Sequence, residues 1–166
     1  MKKLKLVDLI FDEITQMGIM LFEEETITEP QQVKVLPIWI GIFEAQSIMF
    51  KLQNLVFPRP LTHDLLKNCI EQLSGKIEKV IITKIQDNTF YAEIHILRGS
   101  EKIIIDSRPS DAVALAIRAD APIYVSDEVM LTAAVDKEEF MKEQKDKLLR
   151  QLLEVAETEE DKKLKH

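Results

Sequence analysis

One short segment of the chain collects a cation, an imidazole and a carboxylate at the predicted start of a helix. The segment reads Arg59-Pro60-Leu61-Thr62-His63-Asp64. A helix N-terminus presents unpaired backbone N–H groups and partial positive charge, which favour a bound phosphate. Arg59 could clamp phosphate oxygens, His63 could move a proton near neutral pH, and Asp64 could bind a metal or orient the imidazole. Taken alone, the segment suits a structural role better, with Thr62 capping the helix and Asp64 complementing its dipole.

A second segment places two carboxylates and an arginine where a predicted strand leads into a helix. It reads Asp106-Ser107-Arg108-Pro109-Ser110-Asp111. Aspartate oxygens at a strand end are typical ligands of Mg²⁺ or Mn²⁺, so Asp106 and Asp111 are candidate metal ligands. Arg108 would offer its fork of donors to a phosphate. Helix capping explains part of the same pattern, because Pro109 suits the first helical position and Asp111 can reach back to a free N–H group.

The other chemistry-bearing residues favour structural roles. The sole tryptophan, Trp39, is typical of a core or interface, and Glu44, one turn into a predicted helix, complements the helix dipole. His95 and His166 stand alone, which disfavours a zinc hydrolase. Cys69 lies on the apolar side of its predicted helix and indicates packing. The four glycines are too far apart for a nucleotide-binding loop, and no nucleophile elbow indicates a Ser-His-Asp hydrolase.

Length, composition and charge bound the class of protein. The chain has 166 residues, of which 46% are hydrophobic, so we expect one compact domain with a real core. No apolar run approaches the roughly 18 residues of a membrane span, and no signal peptide or disulfide pair is visible, so we expect a cytoplasmic protein without a membrane partner. The net charge of −7 argues against coating nucleic acid by charge alone, but it allows contact at one small site.

Hydrophobic periodicity and turn residues predict an α+β fold. Strands are predicted over residues 3–14, 19–24, 33–40, 76–85, 90–97, 102–106 and 123–125, and helices over 42–52, 62–73, 109–119, 127–134 and 138–156. Pro37 predicts an edge position or a bulge in the third strand, and Gly75 is the predicted left-handed residue after the second helix. We expect a mixed, mostly antiparallel β-sheet with helices packed on it: an N-terminal hairpin, a helix pair, a three-strand meander and C-terminal helices. Residues 1–135 form the predicted domain, and residues 136–166 a C-terminal helix and frayed tail.

The two reactive segments, together with two apolar ones, resemble the bifunctional nuclease family of bacteria and plants. The matching segments are residues 35–41 with Glu44-Ala45, then 59–65, 105–116 and 122–125, within a span of about residues 5–135. The resemblance implies a compact α+β domain that cleaves both DNA and RNA. The family motif falls on Arg59, His63, Asp64, Asp106, Arg108 and Asp111.

These residues combine into one hypothesis, a nuclease of low sequence specificity. The two predicted helix starts meet at one cleft, where a Mg²⁺ or Mn²⁺ ion activates water. The predicted metal ligands are Asp64, Asp106 and Asp111. Arg59 and Arg108 stabilise the charge on the scissile phosphate, and His63 serves as general base or leaving-group acid. Because backbone phosphates are the target, both DNA and RNA are substrates, and the acidic charge predicts transient contact with nucleic acid.

A non-catalytic interpretation stays open beside the nuclease hypothesis. In it, the chain binds a small anion or metabolite, or forms a dimeric scaffold, and the arginines hold the two helix starts together through the aspartates. The predicted C-terminal helix carries a broad apolar stripe, formed by Phe140, Met141, Leu148, Leu149, Leu152 and Leu153. A lone surface helix would not expose such a stripe, so we expect it to pack on the core or on a second subunit, and we predict a homodimer.

Overall fold

The computed structural model describes residues 1–12, 15–26 and 33–163, with side chains described as far as residue 154. In chain order its elements are β1 (Lys2–Asp12), β2 (Met17–Glu24), β3 (Lys34–Gly41), α1 (Ile42–Leu52), α2 (Thr62–Gln72), β4 (Lys76–Gln86), β5 (Thr89–Arg98), β6 (Glu101–Ser107), α3 (Pro109–Ala119), β7 (Ile123–Val125), α4 (Asp127–Ala133), β8 (Val135–Asp136) and α5 (Lys137–Lys163). The predicted end of the first strand, at Ile14, lies outside the described residues. No helix in the described ranges is long and apolar enough to cross a membrane.

The described strands form one sheet, in the order β6-β5-β4-β7-β1-β2-β3-β8. Neighbouring strands run antiparallel except β4 and β7, which are parallel. The three residues of β7 pair with residues 2–4 of β1 on one side and residues 80–82 of β4 on the other. This short strand joins an N-terminal half-sheet, β1 to β3, to the predicted meander, β4 to β6. The predicted α+β class is therefore confirmed.

Helices α1 and α3 pack on one face of the sheet, which we call the helix face. Every residue from Ala112 to Ala116 is at most 1% exposed, because the alternating alanines let α3 lie close to both the sheet and α1. Gly18 of β2 likewise allows α1 to lie close to the sheet, since a Cβ at Gly18 would overlap the Cβ of Ala45 in α1. On the helix face α3 contacts both α1 and α2, and Ser47 of α1 bonds His63 of α2.

The first turn of α5 packs on the opposite face of the sheet, which we call the open face. Phe140 is 5% exposed and contacts a small cluster that includes Ile19 and Val35. Its ring also forms a T-shaped contact with that of Trp39, with the two ring centroids 6.1 Å apart. Farther along, the leucines of α5 are about half exposed or more: Leu148, Leu149, Leu152 and Leu153. The predicted stripe is therefore covered only at its N-terminal end, and α5 continues to Lys163, beyond the predicted end at residue 156.

Local sequence signals place most turns correctly. Asp87 and Asn88 both have positive φ, 50° and 57°, and form the predicted tight turn between β4 and β5. Pro37 lies where β3 has β2 on one side and no described strand on the other, because β8 pairs only with Lys34 and Val35. The edge position predicted for Pro37 is therefore confirmed.

Three predictions about α2 are wrong. Its N-cap is Leu61 instead of Thr62, and the Leu61 N–H donates to the Asp64 carboxylate at 3.0 Å. At the other end Ser74, with φ 63°, occupies the left-handed position predicted for Gly75. The predicted packing of Cys69 also fails, since Cys69 is exposed and α2 has no buried residue. Cys69 is exposed because α2 lies at the margin of the domain, where the polar side chains of its first turn and the partly buried Ile70 make its contacts.

Candidate functional site

Three helices bring a chain of polar side chains together on the helix side of the sheet. Glu44 and Ser47 lie about one turn apart on α1, and His63 and Asp64 occupy the first turn of α2. Asp111 and Arg118 lie seven residues apart on α3, and therefore on one face of that helix. Arg108 is the N-cap of α3 and Pro109 its first residue, as predicted. We call these seven residues, Glu44, Ser47, His63, Asp64, Arg108, Asp111 and Arg118, the polar network.

His63 lies at the centre of the polar network. Its Nδ1 atom is 2.8 Å from the Ser47 hydroxyl oxygen, and its Nε2 atom is 3.0 Å from Asp111 Oδ1. The side chain is 13% exposed, so its orientation is fixed by these two contacts. An ionised carboxylate can only accept, so Nε2 carries a proton toward Asp111, and whenever the ring is neutral Nδ1 accepts the Ser47 O–H. The contacts thus determine the tautomer of His63.

The exposed side chain of Arg108 forms a bidentate ion pair with Asp111. Its Nε donates to Asp111 Oδ2 at 2.8 Å and its Nη2 to Oδ1 at 3.1 Å, while Nη1 reaches Glu44 Oε1 at 2.8 Å. Partial burial of Asp111 raises the pKa of its carboxyl, but the hydrogen bonds from Arg108 and His63 outweigh this and hold that pKa below the ordinary value. Asp111 is therefore ionised near neutral pH, as the tautomer of His63 requires.

Arg118 is a buried cation that ties α1, α2 and α3 together. Its side chain is 3% exposed, and its Nε donates to Asp64 Oδ1 at 2.6 Å. The remaining nitrogens donate to the carbonyl of Ala114 at 3.0 Å and to the carbonyl and hydroxyl of Ser47 at 3.0 and 3.3 Å. Burial raises the pKa of Asp64, while the bonds from Arg118 and the Leu61 N–H lower it below the ordinary value. Asp64 thus lies against a guanidinium instead of facing the cleft as a free ligand.

The structure brings together four of the six predicted site residues: His63, Asp64, Arg108 and Asp111. Arg59 is exposed, on the turn before α2, and the described contacts do not connect it to the polar network. Asp106 lies opposite Glu93 of β5, while the neighbouring Ile105 lies opposite the core residue Ile94. Because side chains alternate along a strand, Asp106 points to the open face, away from α3 and Asp111.

The three predicted metal ligands are consequently not assembled. Asp64 and Asp111 are each bonded to an arginine, and Asp106 is on the other face of the sheet. Within the described ranges there is no group of three or more His, Cys, Asp or Glu residues that could hold a metal ion. The donor set does not fit a divalent ion in this arrangement, and Mg²⁺ or Mn²⁺ stays a prediction.

Ser47 and Arg118 were not among the predicted site residues, and Glu44 was predicted only to complement the helix dipole. A signal for Arg118 was present, because it is a charged residue that ends the apolar run 112–117 and shares a face with Asp111. Ser47 gave no such signal. Its role depends on how closely α1 and α2 approach, which no local pattern specifies.

The fold and the site define a class of protein: an α+β domain with one sheet and an ionic network at the starts of two helices. The chain belongs to the bifunctional nuclease domain family, whose model matches residues 26–138. The matched region begins after β2, later than the start near residue 5 expected from the motifs. It includes all seven residues of the polar network.

Named relatives fall into a bacterial and a plant group. An uncharacterized protein of Mycobacterium tuberculosis is 42% identical over 102 residues, which cover 61% of this chain and 60% of that protein. Bifunctional nuclease 1 of Oryza sativa subsp. indica is 32% identical over 92 residues, 52% of this chain and 28% of the rice protein. Bifunctional nuclease 1 of Arabidopsis thaliana is 26% identical over 95 residues, 55% of this chain and 29% of that protein. This chain therefore spans less than two thirds of each of these relatives.

Proposed function

We propose that this protein hydrolyses phosphodiester bonds of DNA and RNA with low sequence specificity, and that the polar network is its active site. The observation that carries the proposal is the placement of His63 between Ser47 and an ionised Asp111, directly beside the exposed Arg108. A proton-transfer group next to a phosphate-binding cation is what phosphodiester cleavage requires. The names of the plant relatives support the same chemistry.

His63 is arranged to take up a proton at Nδ1. The Ser47 hydroxyl donates to that atom and can pass its hydrogen to the ring while accepting one from an attacking water. Asp111 then stabilises the imidazolium through its bond to Nε2–H, as an orienting carboxylate does in other hydrolases. The water oxygen bonds to phosphorus as the bond to the leaving oxygen breaks, and the imidazolium returns its proton through Ser47 to that leaving oxygen. In this arrangement Asp111 is a partner of His63 and acts without binding a metal.

Arg108 is arranged to hold the phosphate. Its guanidinium has five N–H donors, of which three are used in the bonds to Asp111 and Glu44. The remaining two, on a side chain that is 64% exposed, are available to phosphate oxygens. Arg59, exposed before α2, is a second predicted phosphate contact. Because phosphates carry no base identity, such binding favours neither a sequence nor a sugar.

The test is a cleavage assay on the full chain with labelled single- and double-stranded DNA and RNA. Replacing His63 by glutamine should lower the cleavage rate by about 10²–10⁴-fold, the usual contribution of a general acid–base group. His95→Gln is the matched control, because His95 also bonds a carboxylate, that of Glu93 at 3.0 Å, but lies outside the polar network. Equal rates for wild type and His63→Gln would reject the proposed site.

The same assay tests the predicted metal and the non-catalytic alternative. Reactions with Mg²⁺, with Mn²⁺ and with EDTA are compared at equal ionic strength. Loss of cleavage in EDTA, restored by added Mg²⁺ or Mn²⁺, would support the metal prediction, and unchanged cleavage in EDTA would contradict it. If pure wild-type protein cleaves nothing under any condition, the anion-binding or scaffold interpretation replaces the nuclease.

A further inference from the structure

The outermost strand of the meander, β6, is an open sheet edge. It is seven residues long and has β5 on one side and no described strand on the other. Ile104 is 58% exposed and Ile105 43% exposed, so apolar side chains lie uncovered on both faces of this edge. A long apolar edge strand is a ready template for another strand, and free edges in soluble proteins are normally interrupted by proline, bulges or inward-pointing charges. The central residues Ile103, Ile104 and Ile105 have none of these protections, and the charged side chains of β6, which also protect edges, lie on either side of them at Glu101, Lys102 and Asp106.

The side chains of β6 divide cleanly between the two faces of the sheet. Ile103 and Ile105 lie opposite Ile96 and Ile94, which belong to the core on the helix face. The alternating residues between and around them therefore point to the open face: Lys102, Ile104 and Asp106. On the open face of β6, Ile104 thus has a cation two residues before it and an anion two residues after it.

We propose that β6 pairs antiparallel with β6 of a second copy of this chain, about a two-fold axis at Ile104. Ile104 then faces its own copy, and Ile103 faces Ile105 of the second copy on the helix face. Lys102 faces Asp106 of the second copy, and the symmetry makes this ion pair twice. Each cross-strand pair in this register is apolar with apolar or positive with negative, which are the favourable combinations.

The charge pattern selects this register among the two-fold alternatives. Moving the axis by one residue, to Ile103 or Ile105, places a charged side chain directly opposite Ile104. Only the axis at Ile104 pairs the two opposite charges across the interface. It also gives Asp106 a favourable partner, because within its own chain Asp106 lies opposite the acidic Glu93. Asp106, which has no place in the polar network, acquires a role in assembly.

Charge reversal tests the interface. Lys102→Asp and Asp106→Lys each create two like-charge pairs, so each variant alone should raise the dimer dissociation constant by about tenfold or more. Mixing the two variants restores both ion pairs. In the mixed dimer the aspartate introduced at position 102 faces the lysine introduced at position 106, and the native Lys102 faces the native Asp106. We therefore expect the mixture, and the double variant alone, to dimerise like wild type in sedimentation equilibrium. Lys76→Asp, an exposed change inside the same meander, is the matched control and should dimerise normally.

Disulfide trapping is an independent measurement. In a Cys69→Ser background, Ile104→Cys places two thiols opposite each other at the axis, within reach of a disulfide. Oxidation should link this variant rapidly, while Leu148→Cys, on the exposed part of α5, should link slowly. A wild type that is monomeric at all concentrations, or a mixture of the reversed variants that fails to associate, would overturn the proposal. Faster linking at residue 148 than at residue 104 would also overturn it and would assign the interface to α5.

Discussion

Arg118 and Arg108 belong to the same polar network, but their replacement should have different effects. Loss of Arg118 should lower the stability of the fold, and loss of Arg108 should lower the cleavage activity. Arg118 is 3% exposed and donates to the Asp64 carboxylate and to the backbone carbonyls of Ala114 and Ser47. Leucine at position 118 fills similar space but removes these donors. Both carbonyls keep the N–H donors of their own helices, so the main loss is the charge-assisted bond to Asp64, and hydrogen bonds to charged groups contribute about 1.5–3 kcal/mol. Asp64 is 37% exposed and can be hydrated, so we expect the free energy of unfolding to fall by about 3 kcal/mol in total.

Arg108→Leu should have the opposite profile. The Arg108 side chain is 64% exposed, and ion pairs of exposed side chains contribute less than about 1 kcal/mol to folding. Its removal nevertheless takes away the bidentate partner of Asp111 and the proposed phosphate contact. We expect near-normal stability with a large loss of cleavage activity. Arg118→Lys should fall between Arg118→Leu and wild type in stability, because lysine keeps the charge but lacks the planar fork.

Urea unfolding followed by far-UV circular dichroism and by the fluorescence of Trp39 measures these differences. The midpoint and the m-value are compared for wild type, Arg118→Leu, Arg118→Lys and Arg108→Leu at pH 7. If Arg118→Leu unfolds within about 0.5 kcal/mol of wild type, the buried guanidinium does not hold the helices together. A lower stability of Arg108→Leu than of Arg118→Leu would also contradict the structural role assigned to Arg118.

Further predictions concern acid stability and helix packing. The pKa values of Asp64 and Asp111 are lower in the folded protein than in the unfolded chain, so their stabilisation is complete above the unfolded value of about 3.9 and is lost as the pH falls through the folded values. Asp111→Asn should flatten this acid limb in a plot of urea midpoint against pH, and an unchanged limb would contradict the assignment. Gly18→Ala should destabilise the fold by about 1–3 kcal/mol through overpacking against Ala45; a wild-type melting temperature would show that α1 can move away.

Much of the fold could be predicted because its signals are local. Pro109 at the first helical position and the apolar run after it define α3 to the residue, and Asp87-Asn88 defines the turn of the meander. The helix α2 shows why the packing of Cys69 was predicted wrongly. Its sequence pattern is amphipathic, but whether an amphipathic face is buried depends on what lies above it, and the domain places nothing over Leu65 and Leu66.

The site was predictable where its residues belong to helix first turns and was missed where packing decides. His63 and Asp111 each lie in the first turn of a helix, and the structure confirms that these turns meet. Arg118 and Ser47 become partners only through the approach of α1 to α3, which the sequence does not specify. The orientation of Asp106 could have been predicted from the sequence. Side chains alternate along a strand, so if Ile103 and Ile105 face the core, Asp106 must face the other way.

The three-residue strand β7 has a consequence for the order in which the chain can fold. Within the described residues, the N-terminal half-sheet and the meander are joined edge to edge only through β7. Its pairs with β1 link residues 2–4 to residues 123–125, so this contact closes across most of the domain. Contacts of such high sequence separation slow folding, because the loop entropy is lost before the contact forms. During synthesis on the ribosome, the edges of β1 and β4 that pair with β7 therefore stay unpaired until residue 125 has emerged. The sheet becomes continuous only then.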